Sequence, residues 1–127
     1  MLDHLIITVS DFERSRSFYL TALEPLGYEV LMEFGKGVGF GVGGKPDFFI
    51  REGGGLEPPF HLAFGSEDRQ SVDRFYEAAM AAGGRDNGKP GLRSEYHPNY
   101  YGAFVLDPDG NNIEAVCHRP ESAIADS

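Results

Sequence analysis

The feature that most constrains the fold is an internal repeat. When the sequence is shifted by 57 positions, residues 4–27 lie over residues 61–84 without a gap. Seven identical residues coincide, among them a histidine and a Phe-Tyr pair. A repeat of this size indicates two copies of one supersecondary unit that share a core. The chain has 127 residues, the length of one ordinary domain.

Each copy begins with the pattern of a strand followed by a helix. Residues 4–9 are apolar and β-branched, which is typical of a strand, and Ser10 and Asp11 are both candidate caps for the next helix. From Phe12 the apolar positions recur at helical spacing, and Gly27 supplies a C-terminal cap. The corresponding features of the second copy are residues 61–64, Asp68 and Gly83-Gly84.

Strand and turn patterns then complete a β-α-β-β-β order in each copy. The second copy also carries seven extra residues within 86–100, which we interpret as a substrate-facing loop. The chain therefore divides into module one (1–55), module two (58–120) within one domain, and a tail (121–127) that we expect to be frayed. The further predicted strands are 28–32, 37–42, 48–50, 101–106 and 112–118, with turns at Lys45-Pro46-Asp47 and 107–110 and a glycine-rich linker from 53 to 59.

Composition and charge exclude several classes of partner. Eleven basic and 20 acidic residues give a net charge of −9, so nucleic acid and anionic membranes are poor partners. No apolar run reaches the roughly 18 residues that cross a bilayer. Cys117 is the single cysteine, which fits a reducing compartment, and we expect a cytoplasmic protein. No glycine-rich phosphate loop or serine-elbow motif is present.

Three motifs in order carry a resemblance to a known family. They are His4-Leu5-Ile6-Ile7-Thr8-Val9 with Asp11 and Phe18-Tyr19, then Phe60-His61-Leu62-Ala63-Phe64, then Asp107-Pro108-Asp109-Gly110 leading to Glu114. The chain resembles the vicinal oxygen chelate superfamily of glyoxalase I, bleomycin-resistance proteins and extradiol dioxygenases. The resemblance covers residues 1–118 and implies an α+β fold: two βαβββ modules in tandem whose mixed sheet curls around an open cavity.

The resemblance also implies a metal site on four strand positions. Carried onto this sequence, these positions are His4, Ile50, His61 and Glu114, and the repeat pairs Ile50 with Glu114 at an offset of 64. Isoleucine is no ligand, so His4, His61 and Glu114 form the candidate set. Two histidines and one carboxylate suit Fe(II), while Mn(II) and Zn(II) are also compatible. The missing fourth ligand leaves open that no metal is bound.

The extra loop holds further candidates. His97 and Tyr101 are candidate acid–base residues, because an imidazole and a phenol can move or hold a proton. The candidate substrate-binding residues are Tyr96, Tyr100, Arg93 and Phe49, of which Arg93 suits a substrate carboxylate. The alternatives are an aromatic lid or a subunit contact without chemistry for the loop residues, a surface role for Arg93 and a core position for Phe49.

We therefore expect a glyoxalase- or dioxygenase-like enzyme that uses one divalent metal and a small substrate with vicinal oxygens, by lyase, isomerase or dioxygenase chemistry. The alternative is a protein that sequesters a small molecule without catalysis, as bleomycin-resistance proteins do. We expect a homodimer, because open sheet edges favour association. The sequence leaves open whether the modules pair within one chain or between two.

Overall fold

The computed structural model describes residues 2–53 and 59–121; most of the predicted linker (54–58) and the end of the tail (122–127) lie outside the described residues. Both modules follow the predicted order of elements. Module one comprises β1 (Leu5–Val9), α1 (Phe12–Leu23), a 3-10 turn (Glu24–Leu26), β2 (Glu29–Phe34), β3 (Gly37–Val42) and β4 (Lys45–Glu52). Module two comprises β5 (His61–Gly65), α2 (Arg69–Ala81), β6 (Arg85–Leu92), β7 (Tyr101–Leu106) and β8 (Asn112–Cys117).

Each module forms one four-stranded mixed sheet. The strand orders are β1-β4-β3-β2 and β5-β8-β7-β6. The first and last strands of each module pair in parallel, and the other pairs are antiparallel. Neither sheet closes on itself. This arrangement confirms the α+β fold with two tandem βαβββ modules.

The helix boundaries follow from the caps that the sequence supplies. The Asp11 side chain accepts a hydrogen bond from the Arg14 backbone N–H at 3.2 Å, and Asp68 accepts from Ser71 at 2.7 Å. Gly27 has a φ of 88°, in the left-handed region where a glycine ends a helix without strain. The two helices therefore begin at equivalent points of the repeat.

One hydrophobic core joins the two modules. Residues of both helices and of both sheets belong to the same buried cluster, and α1 packs against α2. The Tyr19 hydroxyl of α1 donates to the buried Asp107 of module two, which ties the modules together through a polar contact as well. Each sheet thus turns one face to this core; we call the opposite face its outer face.

Two local predictions are wrong. Lys45-Pro46-Asp47 does not form a turn but begins β4; the chain reverses at Gly43-Gly44, whose φ values of 66° and 80° only glycine adopts easily. The segment within 86–100 is not entirely a loop, because its first part belongs to β6. The loop proper covers residues 93–100.

Candidate functional site

The register of the parallel strands fixes which residues of the two modules are equivalent. Ile6 lies opposite Phe49 in module one, and Ala63 lies opposite Glu114 in module two. Since the repeat superimposes Ile6 on Ala63, the structural counterpart of Glu114 is Phe49.

The assignment of Ile50 to the fourth ligand position is therefore wrong by one residue. Ile50 is completely buried in the core, whereas Phe49 lies on the outer face, and Glu114 lies on the equivalent outer face of module two. Successive side chains of a strand point to opposite faces, so a one-residue error in alignment reverses the face. Phenylalanine is no metal ligand either, so module one offers only His4 at this site.

His61 and Glu114 come together on the outer face of the second sheet. His61 Nε2 lies 2.7 Å from Glu114 Oε1, across the neighbouring strands β5 and β8. The Glu114 side chain is 1% exposed and the His61 side chain is 53% exposed. A buried carboxylate oxygen and a nitrogen of an open imidazole thus lie side by side, and both atom types bind divalent cations.

Tyr100 holds the other oxygen of Glu114. Its hydroxyl donates to Glu114 Oε2, and burial together with this hydrogen bond raises the pKa of the Tyr100 phenol well above its usual value. A Cβ at Gly102 would lie 3.2 Å from Tyr100 Cε1 and 3.3 Å from Glu114 Oε2. The absence of a side chain at this position thus makes room for the contact.

His97 forms a pair with His118, which follows β8. His97 Nε2 lies 2.8 Å from His118 Nδ1, and the two rings stack with centroids 4.9 Å apart. The other nitrogen of His97 accepts the Asn99 backbone N–H at 3.0 Å. Both imidazoles contact the Tyr100 ring edge-on. The pair therefore joins the loop to the residue after β8 and packs against the Tyr100 ring.

Arg93 directly follows β6, and its guanidinium lies over the Phe104 ring. Its guanidinium carbon is 5.4 Å from the Phe104 ring centroid, and the Phe104 ring is 6.1 Å from the His61 ring. The guanidinium donates to the Lys89 carbonyl at 2.7 Å, and no carboxylate among the residues that the structure describes forms an ion pair with it. Arg93 is thus an ordered cation without an acidic partner in the described chain.

His4 lies in module one and does not join the pair. Its Nδ1 is 2.7 Å from Asp3 Oδ1, and its ring contacts Phe49 edge-on at 5.8 Å. The hydrogen bond from His4 and the nearby Lys45 ammonium hold the pKa of Asp3 below its usual value. Within residues 2–53 and 59–121 of one chain, no three His, Cys, Asp or Glu side chains are placed to hold a metal ion.

The remaining candidates lie in different surroundings. Tyr101 faces the core side of its sheet, where its hydroxyl donates to Asp73 of α2 at 2.6 Å; burial and this contact raise its pKa to about 12. Tyr96 is 62% exposed and contacts the Tyr100 ring edge-on. The site cluster is therefore His61, Glu114, Tyr100, His97, His118, Phe104 and Arg93.

Sequence reasoning did not assign Phe104 or His118 to this cluster. Phe104 lies opposite Glu114 in the antiparallel pairing of β7 with β8. His118 follows Glu114 by four residues, an even spacing that puts both side chains on the same face of an extended chain. The even spacing can be seen in the sequence, but the loop that brings His97 to His118 has no pattern that predicts its path.

The outer face of the first sheet carries exposed apolar side chains. Ile6, Met32 and Phe34 are each about half exposed, at 49%, 48% and 48%. Met32 pairs with Gly39, which pairs with Phe49, so Met32 and Phe49 share the face on which His4 lies against Phe49. Apolar surface of this kind is typical of an interaction face.

Fold and motifs together define a class of protein, and the comparisons with known proteins agree. The chain belongs to the Glyoxalase/Bleomycin resistance protein/Dioxygenase superfamily, whose family model matches residues 1–115. It is 30% identical over 132 aligned positions to the uncharacterized protein YqjT of Bacillus subtilis (strain 168), covering 91% of this chain and 97% of that protein.

Two solved structures extend the comparison. A glyoxalase/bleomycin resistance protein from Albidiferax ferrireducens T118 superimposes with a TM-score of 0.79 at 28% identity, over 92% of this chain and 98% of that one. The fosfomycin resistance protein FosX from Listeria monocytogenes shares the fold, with a TM-score of 0.69 at 21% identity, over 92% of each chain. No helix within the described residues is long and apolar enough to cross a membrane.

Proposed function

We propose that this protein is a metal-dependent enzyme that acts on a small anionic substrate with vicinal oxygens. The observation that carries the proposal is the pair formed by His61 Nε2 and Glu114 Oε1 at 2.7 Å. Burying a carboxylate costs free energy that an exposed histidine offsets only in part. A divalent cation held by both groups, Fe(II), Mn(II) or Zn(II), is the partner that this donor set fits.

The third ligand is His4 of a second copy of the chain. His4 and Phe49 occupy in module one the places that His61 and Glu114 occupy in module two, so each chain offers one ligand on one sheet and two on the other. The Asp3 carboxylate binds His4 Nδ1, which leaves the Nε2 atom of His4 available to bind the metal ion. A homodimer in which the two outer faces meet would bring three ligands together, and the apolar Ile6, Met32 and Phe34 favour such a contact.

We assign substrate binding and proton transfer to separate residues around the His61–Glu114 pair. A bound ion supplies a Lewis acid for two adjacent oxygens. Arg93, ordered above Phe104 and without an acidic partner in the described chain, binds the anionic group of the substrate by bidentate hydrogen bonds. Tyr96 and, from the second copy, the Phe49 that lies beside its His4 form apolar walls, and the His97–His118 pair exchanges a proton with the substrate. This set serves lyase, isomerase or dioxygenase chemistry.

Metal content tests the proposal. We expect protein purified without chelator to carry close to one transition-metal ion per chain, measured by elemental analysis, because each dimer forms two equivalent sites. His61→Ala and Glu114→Gln should each lose it. Tyr28→Phe, which removes a hydroxyl that donates to Asp47 in module one, is the control that should retain it. Wild-type protein that stays free of metal after incubation with Fe(II), Mn(II) and Zn(II) would overturn the proposal.

The second candidate is a binding protein that sequesters a small molecule without catalysis. The observation in its favour is Phe49, an aromatic ring at the position equivalent to Glu114. A thermal-shift screen of small aromatic molecules separates the two candidates, since a ligand at 100 times its Kd adds about 2.7 kcal/mol to stability. Stabilisation of the metal-free protein by an aromatic molecule, with no effect of His61→Ala, would favour sequestration.

A further inference from the structure

We infer that Tyr100 is a positioning residue for Glu114: its phenol holds Oε2 so that Glu114 presents a single oxygen, Oε1, beside His61 Nε2. The inference rests on the metal site proposed above and deepens it, because it states how the carboxylate binds. Glu114 is thus a monodentate ligand. Tyr100 contacts this ligand and neither the ion nor the substrate.

The first step of the argument is the division of the two carboxylate oxygens. Oε1 faces His61 Nε2 at 2.7 Å, and Oε2 accepts the Tyr100 hydroxyl. A carboxylate oxygen accepts hydrogen bonds and has none to donate, so the phenol O–H is the donor in this contact. Glu114 is 1% exposed, so water does not compete with Tyr100 for Oε2.

The second step is the space that the chain leaves for this contact. Gly102, two residues after Tyr100 on the outer face, would place a Cβ 3.2 Å from the Tyr100 ring and 3.3 Å from Oε2. These distances are shorter than ordinary van der Waals contacts, so an alanine would require the ring or the carboxylate to move by a few tenths of an ångström. The contact therefore depends on a glycine whose backbone conformation does not itself require one.

The third step is the loop that carries Tyr100. The His97–His118 hydrogen bond joins loop residue His97 to the residue after β8, the strand that bears Glu114. Both imidazoles contact the Tyr100 ring edge-on, at 5.9 and 5.2 Å. The Arg93 N–H donates to the Tyr100 carbonyl at 2.7 Å and closes the loop at its base. Tyr100 is thus fixed from three sides before any ion binds.

The test is a titration of the full-length protein with Mn²⁺, measured by calorimetry, for wild type and three variants. Tyr100→Phe keeps the ring and removes the donor; we expect its Kd for Mn²⁺ to rise about 10- to 100-fold, as for other contacts that orient a ligand. Gly102→Ala leaves the identities of Tyr100 and Glu114 unchanged and should also raise the Kd, because its Cβ would crowd their contact. Tyr28→Phe, which also removes a hydroxyl that donates to a carboxylate, should leave the Kd unchanged.

A spectroscopic readout separates positioning from a general loss of structure. In the Co²⁺-loaded protein, release of Oε2 lets Glu114 bind through both oxygens, so the visible absorption of Tyr100→Phe should weaken and shift as the coordination number rises. Wild-type affinity and an unchanged Co²⁺ spectrum in Tyr100→Phe would overturn this inference and leave the metal site standing. A wild-type protein that binds neither Mn²⁺ nor Co²⁺ would overturn both proposals.

Discussion

At the scale of the residue, the site depends on which neighbour in a strand faces outward. Phe49 and Ile50 are adjacent, yet one lies on the outer face at the position equivalent to Glu114 and the other is completely buried in the core. The sequence repeat alone aligns Glu114 with the wrong one of the two. Only the pairing of β1 with β4 and of β5 with β8 reveals the difference.

A pair of glutamate substitutions tests this assignment. Ile50→Glu should lower the free energy of unfolding by about 4 kcal/mol or more, because it buries an unpaired carboxylate. Phe49→Glu should cost no more than about 2 kcal/mol, since that side chain is only partly buried. Urea unfolding followed by circular dichroism measures both values. Equal losses for the two variants would contradict the register.

The same substitution carries a second expectation at the metal site. In a dimer with facing modules, Phe49→Glu adds a fourth donor, a carboxylate oxygen, beside His4 and should tighten Mn²⁺ binding about 10-fold, judged from the affinity that such contacts contribute. The control variant is Phe49→Gln, because glutamine has nearly the same shape as glutamate and no charge. A Kd equal to that of wild type for both would show that this position does not face the ion.

The residue scale also shows what sequence reasoning reached at the site. His61 and Glu114 were identified together because each lies in a motif, and the structure brings them within 2.7 Å. The structure was needed to show that Tyr100, and not Tyr101, contacts the cluster, because two adjacent tyrosines in a sequence give no indication of which one faces it. Their hydroxyls bind Glu114 and Asp73 on opposite faces of one sheet.

At the scale of the element, strong local signals predicted the helices and weak ones missed a strand. Asp11, Asp68 and Gly27 fix helix ends by backbone hydrogen bonds that depend on sequence neighbours alone. β6 was read as part of an insertion, because Arg85–Leu92 is rich in polar residues with glycine and proline. Its pairing with β7 contains two register shifts, so tertiary contacts determine this strand.

The cap of α2 gives a pH-dependent prediction. The Ser71 backbone N–H holds the pKa of Asp68 below its usual value of 3.8, so this carboxylate stabilises the fold above that pH and loses its contribution as the pH falls through the lowered pKa. Asp68→Ala should therefore cost about 1 kcal/mol at neutral pH. As the pH falls below 3.8 and through the lowered pKa, the difference from wild type should shrink, as urea unfolding at neutral pH and at a series of acidic pH values would reveal.

The control for this prediction is Asp68→Asn. Asparagine caps a helix about as well as aspartate and does not titrate, so its effect on stability should stay small at all of these pH values. A loss for Asp68→Ala that does not shrink anywhere in the acidic series would mean that the carboxylate charge contributes nothing to the cap.

At the scale of the whole molecule, α1 packs on α2, so neither helix covers the outer faces of the sheets, although loop residues 93–100 lie against part of the second one. Module one presents His4 with exposed apolar residues, and module two presents His61 and Glu114. The duplicated fold therefore places the candidate ligands of one chain on two separate surfaces, which the repeat in the sequence could not reveal.

Self-association should therefore depend on the apolar outer face of module one. Phe34→Glu, at a side chain that is 48% exposed, should convert the dimer to a monomer and abolish metal binding together with it. Leu20→Glu changes an apolar residue of α1 with 39% exposure and should leave the dimer intact. Sedimentation velocity measures both, and a dimeric Phe34→Glu protein would place the interface elsewhere.

Mixing two defective chains tests whether the ligands come from different subunits. His4→Ala and His61→Ala should each bind no metal alone. After the two variants are unfolded together and refolded, half of the dimers contain one chain of each kind, and each of those has one complete site, so about a quarter of the wild-type metal content should return. A site within a single chain could not be restored in this way, because every chain in the mixture lacks one ligand. Metal content that stays at zero in a mixture shown to contain heterodimers would therefore refute the shared site.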